Sequence, residues 1–209
     1  MVRDQLAVST RGITNPSVLA AMSKVPRHEF VPEHLHDDAY GDMALPIGEG
    51  QTISQPFIVA YMTQRLDPQS SDNVLEVGGG CGYQAAILGE MAKTVCSLEI
   101  VGSLVKRAAA TLEGLGHCNV SMIHADAHLG WSESAPYDVI LVACAAPEIP
   151  AVLVEQLAEN GRLIMPVGPH AHQELKLLRK QNGRVEVIDM LPVRFVPMIG
   201  GNSESTVSD

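Results

Sequence analysis

The stretch that decides the fold is Asn73-Val74-Leu75-Glu76-Val77-Gly78-Gly79-Gly80-Cys81-Gly82-Tyr83-Gln84. It opens with a short apolar run, typical of a buried strand, and then carries four glycines within five positions. The residues that follow, Ala85 to Leu88, favour a helix. A strand, a glycine turn and a helix in this order can bring backbone amides close to a nucleotide-like ligand, because glycine tolerates positive φ and has no Cβ to block the approach.

Two acidic residues narrow the choice of ligand. Glu76 lies two residues before the first glycine, and Glu99 ends the next apolar run, where an acidic side chain can hold ribose hydroxyls. The dinucleotide fingerprint G-x-G-x-x-G would need a third glycine where this chain has Tyr83. The pattern present is E-x-G-x-G-x-G, which resembles the first motif of class I methyltransferases. It therefore favours S-adenosylmethionine over a dinucleotide, and a purely structural turn is the remaining alternative.

The overall composition limits the classes of function. At 209 residues and 46% hydrophobic residues, the chain is predicted to form a single domain, 1–209, with a substantial core. Its net charge of −10 argues against a nucleic-acid partner, because no excess of cations exists to replace the counterions of phosphates. The sequence has no apolar run long enough to span a membrane and no apolar signal core after Met1, so we expect no membrane partner and a cytoplasmic location.

Cysteine and histidine spacing predicts neither a disulfide framework nor a metal site. The four cysteines form no C-x-x-C pair, and we expect them to be reduced core thiols. The H-x-H pairs at 34–36 and 170–172 lack further ligands nearby in the sequence, so no metal is expected.

The N-terminal region, residues 1–70, is predicted to be helical and to carry a substrate loop. Asn15-Pro16 begins a helix that Pro26 ends, and a second helix runs from Pro56 to about Leu66. The segment 27–42 between them is irregular and polar.

A predicted loop, 45–55, precedes the second helix, because it is rich in Gly and hydroxyl groups and lacks an apolar period. Its last residues, Thr52, Ser54 and Gln55, are expected at the helix N-terminus. Two interpretations are open there. The side chains could cap the helix, or the free amides could bind an anion.

Residues 71–200 alternate between strands and helices and are predicted to form the cofactor-binding core. Strands are predicted at 74–78, 94–99, 120–124, 137–144 and 162–167, and helices at 82–92, 101–115 and 149–158. Two further strands, 173–179 and 185–195, are joined by Asn182-Gly183, a hairpin signal. The fold class is α/β, with a mostly parallel, doubly wound sheet and an antiparallel C-terminal strand pair. The polar residues 201–209 are predicted to form a disordered tail.

Several segments carry a family resemblance. The most specific are Gln51–Pro56, inside a longer match from Ala44, and Val193–Pro197. The other segments are Val25–Pro32, Leu75–Ala86, Tyr137–Ile140, Ala145–Pro150 and Gly161–Gly168. Together they cover about residues 15 to 200 and resemble the bacterial-type protein-L-isoaspartate O-methyltransferases, which are class I S-adenosylmethionine-dependent enzymes.

The resemblance implies a Rossmann-like monomer that repairs damaged proteins. It implies transfer of a methyl group from S-adenosylmethionine to the free carboxylate of L-isoaspartyl residues in proteins and peptides, after which the ester cyclises to a succinimide. The substrate carboxylate is the nucleophile and is ionised at pH 7, so no strong general base is required. Catalysis is then expected to be a matter of positioning.

The resemblance also assigns roles to individual residues. Ser54, with Thr52 nearby, is expected to orient the substrate carboxylate. The expected substrate-binding residues are Ile53, Gln55, Val193, Phe195 and Val196. The expected cofactor-binding residues are Glu76, Gly78, Gly79, Gly80, Gly82, Tyr83, Gln84, Glu99, Asp126 and Ala127.

The chain departs from the family pattern at four places, one of which is Cys144-Ala145, where the family usually has Thr-Ala or Gly-Ala. Gly78 to Gly82 reads Gly-Gly-Gly-Cys-Gly where the family usually has Gly-Thr-Gly-Ser-Gly, and Ile100 replaces an Arg. Ala125-Asp126-Ala127 replaces Gly-Asp-Gly, and its Asp remains the candidate for the adenine amino group.

Three other functions are alternatives. A methyltransferase of the same fold could act on a small molecule or another peptide carboxylate, or the chain could bind S-adenosylmethionine without catalysis. A nucleic-acid methyltransferase is disfavoured by the net charge, and because Cys144-Ala145-Ala146-Pro147 lacks the Pro-Pro-aromatic motif of base amino-methylation.

Overall fold

The computed structural model describes residues 1–7, 12–169 and 171–201. The strands within these ranges are β1 Leu45–Gly48, β2 Gln51–Ile53, β3 Asn73–Val77, β4 Thr94–Glu99, β5 Val120–His124, β6 Tyr137–Val142, β7 Leu157–Val167, β8 Gln173–Gln181 and β9 Arg184–Val193. The α-helices are α1 Pro16–Lys24, α2 Pro56–Leu66, α3 Tyr83–Gly89, α4 Gly102–Gly114 and α5 Ala151–Glu155. Short helical turns lie at Val2–Leu6, Arg27–Phe30, Glu33–Leu35, Ala127–Leu129 and Ser132–Ser134.

Seven strands form one sheet in the order β5-β4-β3-β6-β7-β8-β9. The first five are parallel, and β8 and β9 each run antiparallel to the preceding strand. Asn182 and Gly183 join β8 to β9 with φ of 52° and 69°, the positive values that a two-residue hairpin turn of this kind requires. The predicted parallel sheet and antiparallel C-terminal pair are confirmed. The chain order reverses between β3 and β6, where ligands of such sheets bind beyond the carboxyl ends of the strands.

The core covers both faces of this sheet because the central strands are apolar on both sides. On one face Val74, fully buried, packs in a cluster with Met62 of α2 and Leu88 of α3. On the other face Leu75 packs in a cluster with Leu153 of α5. Burial on both faces is the reason that these strands are near-continuous apolar runs.

The predicted loop 45–55 was wrong, because β1 and β2 form a short antiparallel hairpin there. Glu49 and Gly50, with φ of 56° and 68°, make its turn. Buried and exposed residues alternate along β1, but two of its residues are Pro46 and Gly48, which conceal the period. Because β2 ends at Ile53, the hairpin fixes the position at which Ser54 and Gln55 begin.

The predicted helix 149–158 was too long. α5 ends at Glu155, and β7 already begins at Leu157, which pairs with Tyr137. Gly161 therefore lies inside a strand, where a Cβ would come within 2.8 Å of the Ala158 carbonyl oxygen, so it does not end a helix. The buried Leu157 side chain explains the difference, since packing overrides the local helix signal.

The predicted C-terminal tail lies mostly outside the part of the chain that the structure describes. The predicted disordered tail at 202–209 and His170 of the second H-x-H pair lie outside the described residues, whereas Gly201 is described and donates its N–H to Asp126. Within the described ranges, no helix has the length and hydropathy needed to cross a bilayer.

Candidate active site

The glycine turn after β3 is held by backbone bonds and opens toward a pocket. Gly78 N and Gly79 N both donate to the Leu98 carbonyl oxygen, at 2.9 and 3.0 Å. Gly78 and Gly80, with φ of 83° and 54°, line the pocket. Gly82 has φ of 88° but serves packing, because a Cβ there would lie 3.2 Å from the Ala108 and Leu112 side chains. Gly79 is not among the lining residues, and a Cβ there would clash with Ser97 and Met122, so only Gly78 and Gly80 of the predicted glycines face the pocket.

We call the space beside this turn the cofactor pocket. It contains about 540 Å³ of empty space, part of it open to solvent. Its lining residues are Gln51, Thr52, Val77, Gly78, Gly80, Leu98, Glu99, Ile100, Ala125, Ala127, Ala143, Cys144, Val196, Pro197, Met198 and Ile199. Most of them lie at or just beyond the carboxyl ends of β3, β4, β5 and β6, as the topology predicts, whereas Gln51 and Thr52 belong to β2 and 196–199 follow β9.

Glu99 lines the cofactor pocket and also fixes its wall. One carboxylate oxygen accepts from Gly80 N at 2.9 Å, and the other accepts from Val101 N at 2.8 Å. Each carboxylate oxygen has a second lone pair that can accept a hydroxyl from a ligand. This geometry is compatible with the predicted ribose contact.

Glu76 lies deeper, fully buried and outside the pocket lining. Its Oε2 accepts from the Ser97 hydroxyl, and its Oε1 has no hydrogen-bond partner among the described residues. Burial raises the pKa of Glu76 to about 7, and the nearby charge of Glu99 adds to the rise. The group is therefore a weak acid beneath the glycine turn, and its direct contact with a cofactor stays a prediction.

Tyr83 and Gln84 direct their side chains away from the cofactor pocket. The Tyr83 ring packs edge-on against Phe30 at 5.5 Å between centroids and is 1% exposed. The Gln84 amide donates to the Thr63 hydroxyl at 3.0 Å. Any contact from these two residues to a cofactor would have to use their backbone.

The predicted adenine loop is only partly in place. Ala125 and Ala127 line the cofactor pocket, whereas Asp126 is not among its lining residues. Its Oδ1 accepts from His128 N at 2.9 Å and its Oδ2 from Gly201 N at 2.7 Å. Burial would raise the pKa of Asp126, but these hydrogen bonds lower it. Asp126 thus anchors the C-terminal segment, and its adenine contact stays a prediction.

A second, more open pocket adjoins the first, and we call it the substrate groove. It contains about 1550 Å³ of empty space, much of it open to solvent. Its lining residues are Asp42, Met43, Ala44, Thr52, Ser54, Gln55, Ile58, Ala143, Pro192, Val193, Arg194, Phe195, Val196 and Pro197. Thr52, Ala143, Val196 and Pro197 line both spaces, so molecules bound in the two would meet there.

Ser54 lies in the substrate groove and does not cap α2. The N-cap residue of α2 is Gln55, which makes no side-chain capping bond. The first turn is capped from a distance, because Asp42 Oδ1 accepts from Phe57 N at 3.0 Å. The Ser54 hydroxyl has no hydrogen-bond partner in the described part of the chain. The capping interpretation was therefore wrong for this group of side chains.

Of the other predicted substrate residues, all but one line the groove. Val193, Phe195 and Val196 line the groove, and Phe195 N donates to Gln173 at 2.6 Å, which fixes that wall. Gln55 also lines it, with its amide donating to Asp42. Ile53 is 3% exposed and its side chain packs in the core. Its side chain is therefore turned away from a substrate.

Comparison with known proteins agrees with this geometry. The family model described as "Protein-L-isoaspartate(D-aspartate) O-methyltransferase (PCMT)" matches residues 5–203. The chain belongs to the protein-L-isoaspartate O-methyltransferase family. The protein of that name from Opitutus terrae is 52% identical over 198 residues, which cover 94% of this chain and 84% of the relative. A relative of the same name from Methanoregula boonei is 50% identical over 93% of this chain and 90% of its own length.

Solved structures of the family share the fold. A protein-L-isoaspartate O-methyltransferase from Plasmodium falciparum, crystallised with S-adenosyl-L-homocysteine, has a TM-score of 0.81 at 28% identity, over 91% of this chain and 94% of its own. A further structure of that name has a TM-score of 0.83 at 30% identity, over 92% of this chain and 63% of its own.

The isoaspartate methyltransferase site of this chain presents neither a thiolate nor an imidazole to a substrate. Burial raises the pKa of Cys144 to about 12 and that of Cys81 to about 11, so both thiols stay protonated at neutral pH. Among the described residues, no histidine lines either space, and no group of acids, histidines and cysteines could hold a metal ion. The chemistry available is hydrogen bonding and positioning.

Three elements of the site were missed by sequence reasoning. Met198 and Ile199 cover the cofactor pocket, and Asp42 caps α2 from a segment predicted only as irregular. The third is Arg27, which is fully buried. A charged residue between Val25-Pro26 and Phe30 was the available signal for it.

Proposed function

We propose that this chain transfers a methyl group from S-adenosylmethionine to the free carboxylate of L-isoaspartyl residues in proteins and peptides. The observation that carries the proposal is the junction of a glycine-lined pocket and an open groove at Thr52 and Ala143, with the Ser54 hydroxyl in the groove. Family membership and the relative crystallised with S-adenosyl-L-homocysteine support it.

The residues of the cofactor pocket fit S-adenosylmethionine. Gly78 and Gly80 leave open the space that a Cβ would fill beside Cys144 and Ile47. Glu99 would receive the ribose hydroxyls, and Ala125 and Ala127 would flank the adenine. When bound, this cofactor supplies an electrophilic methyl group on a positively charged sulfur.

The chain's own residues would act on the other reactant. The ionised carboxylate of the isoaspartyl residue forms the new oxygen–carbon bond, and the carbon–sulfur electron pair stays on sulfur, so no proton has to move. Ser54 would donate its hydroxyl to the carboxylate and orient one oxygen toward the methyl carbon. Val193 to Val196 would hold the peptide as an extended segment along the groove.

A paired peptide assay tests the proposal. The wild-type chain is incubated with S-adenosylmethionine and an L-isoaspartyl peptide, or with the same peptide containing aspartate, and S-adenosylhomocysteine release is measured. We expect release with the isoaspartyl peptide alone. Equal release with both peptides would indicate another carboxylate substrate. Calorimetric binding of S-adenosylhomocysteine without turnover would indicate a non-catalytic protein.

The proposal includes a monomer that needs neither nucleic acid nor a membrane. The net charge of −10 supports the absence of a nucleic-acid partner. Light scattering on the purified chain checks the oligomeric state, and a stable dimer whose dissociation changes the activity would contradict this part.

A further inference from the structure

Arg27 is a buried cation that makes no salt bridge within the described part of the chain. Its side chain is 0% exposed, and within the described ranges no acidic oxygen lies within salt-bridge distance of it. Burial lowers the pKa of Arg27, while the nearby Tyr83, Cys81 and the carboxylate of Asp42 raise it. A guanidinium nevertheless stays protonated in proteins. Because burying a charge without a salt bridge is costly, such a residue calls for a role beyond filling space.

The hydrogen bonds of Arg27 go to backbone carbonyls of Ser54 and of the segment 39–43, and both Met43 and Ser54 line the substrate groove. Nε donates to the Ala39 oxygen at 2.8 Å, and Nη2 donates to the Ser54 oxygen at 2.9 Å and, more weakly, to Met43 at 3.4 Å. Ala39 and Met43 flank Asp42, the residue that caps α2. One planar guanidinium therefore fixes the groove segment and the backbone of Ser54 together.

The same guanidinium also touches the first residue of α3, the helix that follows the glycine turn. Its Cζ lies 4.9 Å from the centroid of the Tyr83 ring, a cation–π contact. Tyr83 directly follows Gly82 and begins α3, so its position is tied to the glycine turn. Arg27 therefore contacts both the backbone of Ser54 and the first residue of α3.

We propose that Arg27 is a positioning residue for methyl transfer, which sets the Ser54 hydroxyl at a fixed place relative to the glycine turn. Three bonds to rigid backbone and one aromatic contact define this geometry. The proposal rests on the proposed function, because Ser54 must bind the substrate carboxylate. It assigns Arg27 no contact with either reactant. Its effect is therefore on the alignment of bound reactants, which appears in kcat more than in KM.

The matched control is Arg162. It is also largely buried, its Nη2 donates to Asp72 at 2.6 Å, and its Nε has no hydrogen-bond partner among the described residues. It lies in the middle of β7 and beside Asp72, just before β3, away from the residues that line the two spaces. Replacing it removes similar buried contacts without touching the site.

The experiment compares Arg27→Lys and Arg27→Gln with Arg162→Lys and Arg162→Gln. Lysine keeps the charge but loses the forked geometry, so a loss of turnover in Arg27→Lys reports alignment. For each folded variant, the melting temperature, calorimetric affinity for S-adenosylhomocysteine, and kcat and KM for the isoaspartyl peptide are measured. We expect kcat of Arg27→Lys to fall by about tenfold or more, with KM and cofactor affinity changed by less than about threefold. The Arg162 variants should lose stability and keep kcat.

A double variant identifies the route of the effect. If Arg27 acts through Ser54, kcat of Arg27→Lys/Ser54→Ala should match that of Ser54→Ala alone, because coupled residues are not additive. The proposal would be overturned if the losses of kcat in the two single variants multiplied in the double variant. It would also be overturned if Arg27→Lys had a wild-type kcat, or if neither Arg27 variant folded. A wild-type chain that does not methylate the isoaspartyl peptide would instead overturn the proposed function, before any variant is compared.

Discussion

The cofactor pocket and the substrate groove differ in the charge of the buried side chains beside them. Two buried acids support the pocket: Glu99 holds the glycine turn through backbone N–H groups, and Glu76 lies beneath it. The groove instead presents the hydroxyl of Ser54, and the buried cation Arg27 lies behind it, bonded to the Ser54 carbonyl oxygen. The acid that does line the groove, Asp42, is bound to the first turn of α2.

This difference matches the charges of the two proposed ligands. The sulfonium of the cofactor is positive, and the isoaspartyl carboxylate is negative. Two like charges about 4 Å apart repel by about 4 kcal/mol at an effective dielectric constant near 20, so an uncompensated acid in the groove would exclude the substrate. The α2 amide that Asp42 accepts from offsets its charge. Glu99 thus lines the space proposed for the positive ligand, and the acid in the groove proposed for the negative ligand, Asp42, is engaged by an amide.

The largest expected effect concerns Glu76 and the dependence of stability on pH. Its pKa is raised by burial from 4.5 to about 7, so between these values the folded chain holds a proton that the unfolded chain has lost. The stabilisation is complete below about pH 4.5 and is lost as the pH rises through 7, by about 3 kcal/mol in all. Glu76→Gln should remove this loss. Urea unfolding of both proteins from pH 4.5 to 8 measures it, and parallel curves would show that Glu76 is not strained by burial.

The second prediction concerns Glu99. Glu99→Ala should weaken S-adenosylhomocysteine binding by about 1–3 kcal/mol, because charge-assisted hydrogen bonds to the turn and to the ligand are lost together. The exposed Glu113 of α4 provides a control with the same change in charge. Calorimetry should show that Glu113→Ala binds as wild type does. Equal losses in both variants would mean that net charge, and not the local acid, makes the pocket.

The cofactor side was accessible to sequence reasoning because its signals are local. β4 and β5 lie where the apolar runs predict them, and β3 is displaced by one residue. The glycine turn follows β3 within the same short stretch, and Glu99 ends the neighbouring strand. Burial on both faces of a parallel sheet leaves a continuous apolar pattern that needs no knowledge of distant residues.

The substrate side was less accessible because its contacts join residues far apart in the chain. The Arg27 bond to the Ser54 carbonyl and the Asp42 cap on Phe57 leave no periodic pattern. In the sequence alone, Ser54 before Pro56 predicts a cap, and only the structure shows that another residue already occupies that role. The free hydroxyl, which is the basis of its proposed function, is a consequence of that distant residue.

The third prediction therefore concerns Ser54, which does not cap α2 in the structure. Ser54→Ala should leave the melting temperature within about 1 °C of wild type, since no cap worth about 1 kcal/mol is lost. Its kcat/KM for the isoaspartyl peptide should fall at least about tenfold, which corresponds to about 1.4 kcal/mol of transition-state binding. Ser23, whose hydroxyl bonds to Leu19 on α1, provides the control Ser23→Ala. A destabilised Ser54 variant with wild-type kcat/KM would remove this residue from the active site.

The smallest expected effect is at Ala127, where the cofactor side departs from its family. Ala127 is 8% exposed, lines the pocket and begins the helical turn Ala127–Leu129, and Asp126 caps that turn by accepting from His128 N. Ala127→Gly removes one methyl group from the pocket wall and makes the turn more flexible, at a cost of up to about 1 kcal/mol in stability. Because the acids and the glycine turn are untouched, calorimetric affinity for S-adenosylhomocysteine should be equal or better. A large loss of affinity would mean that this loop is rebuilt around alanine, so that Asp126 belongs to the C-terminal anchor through Gly201 and not to the adenine contact.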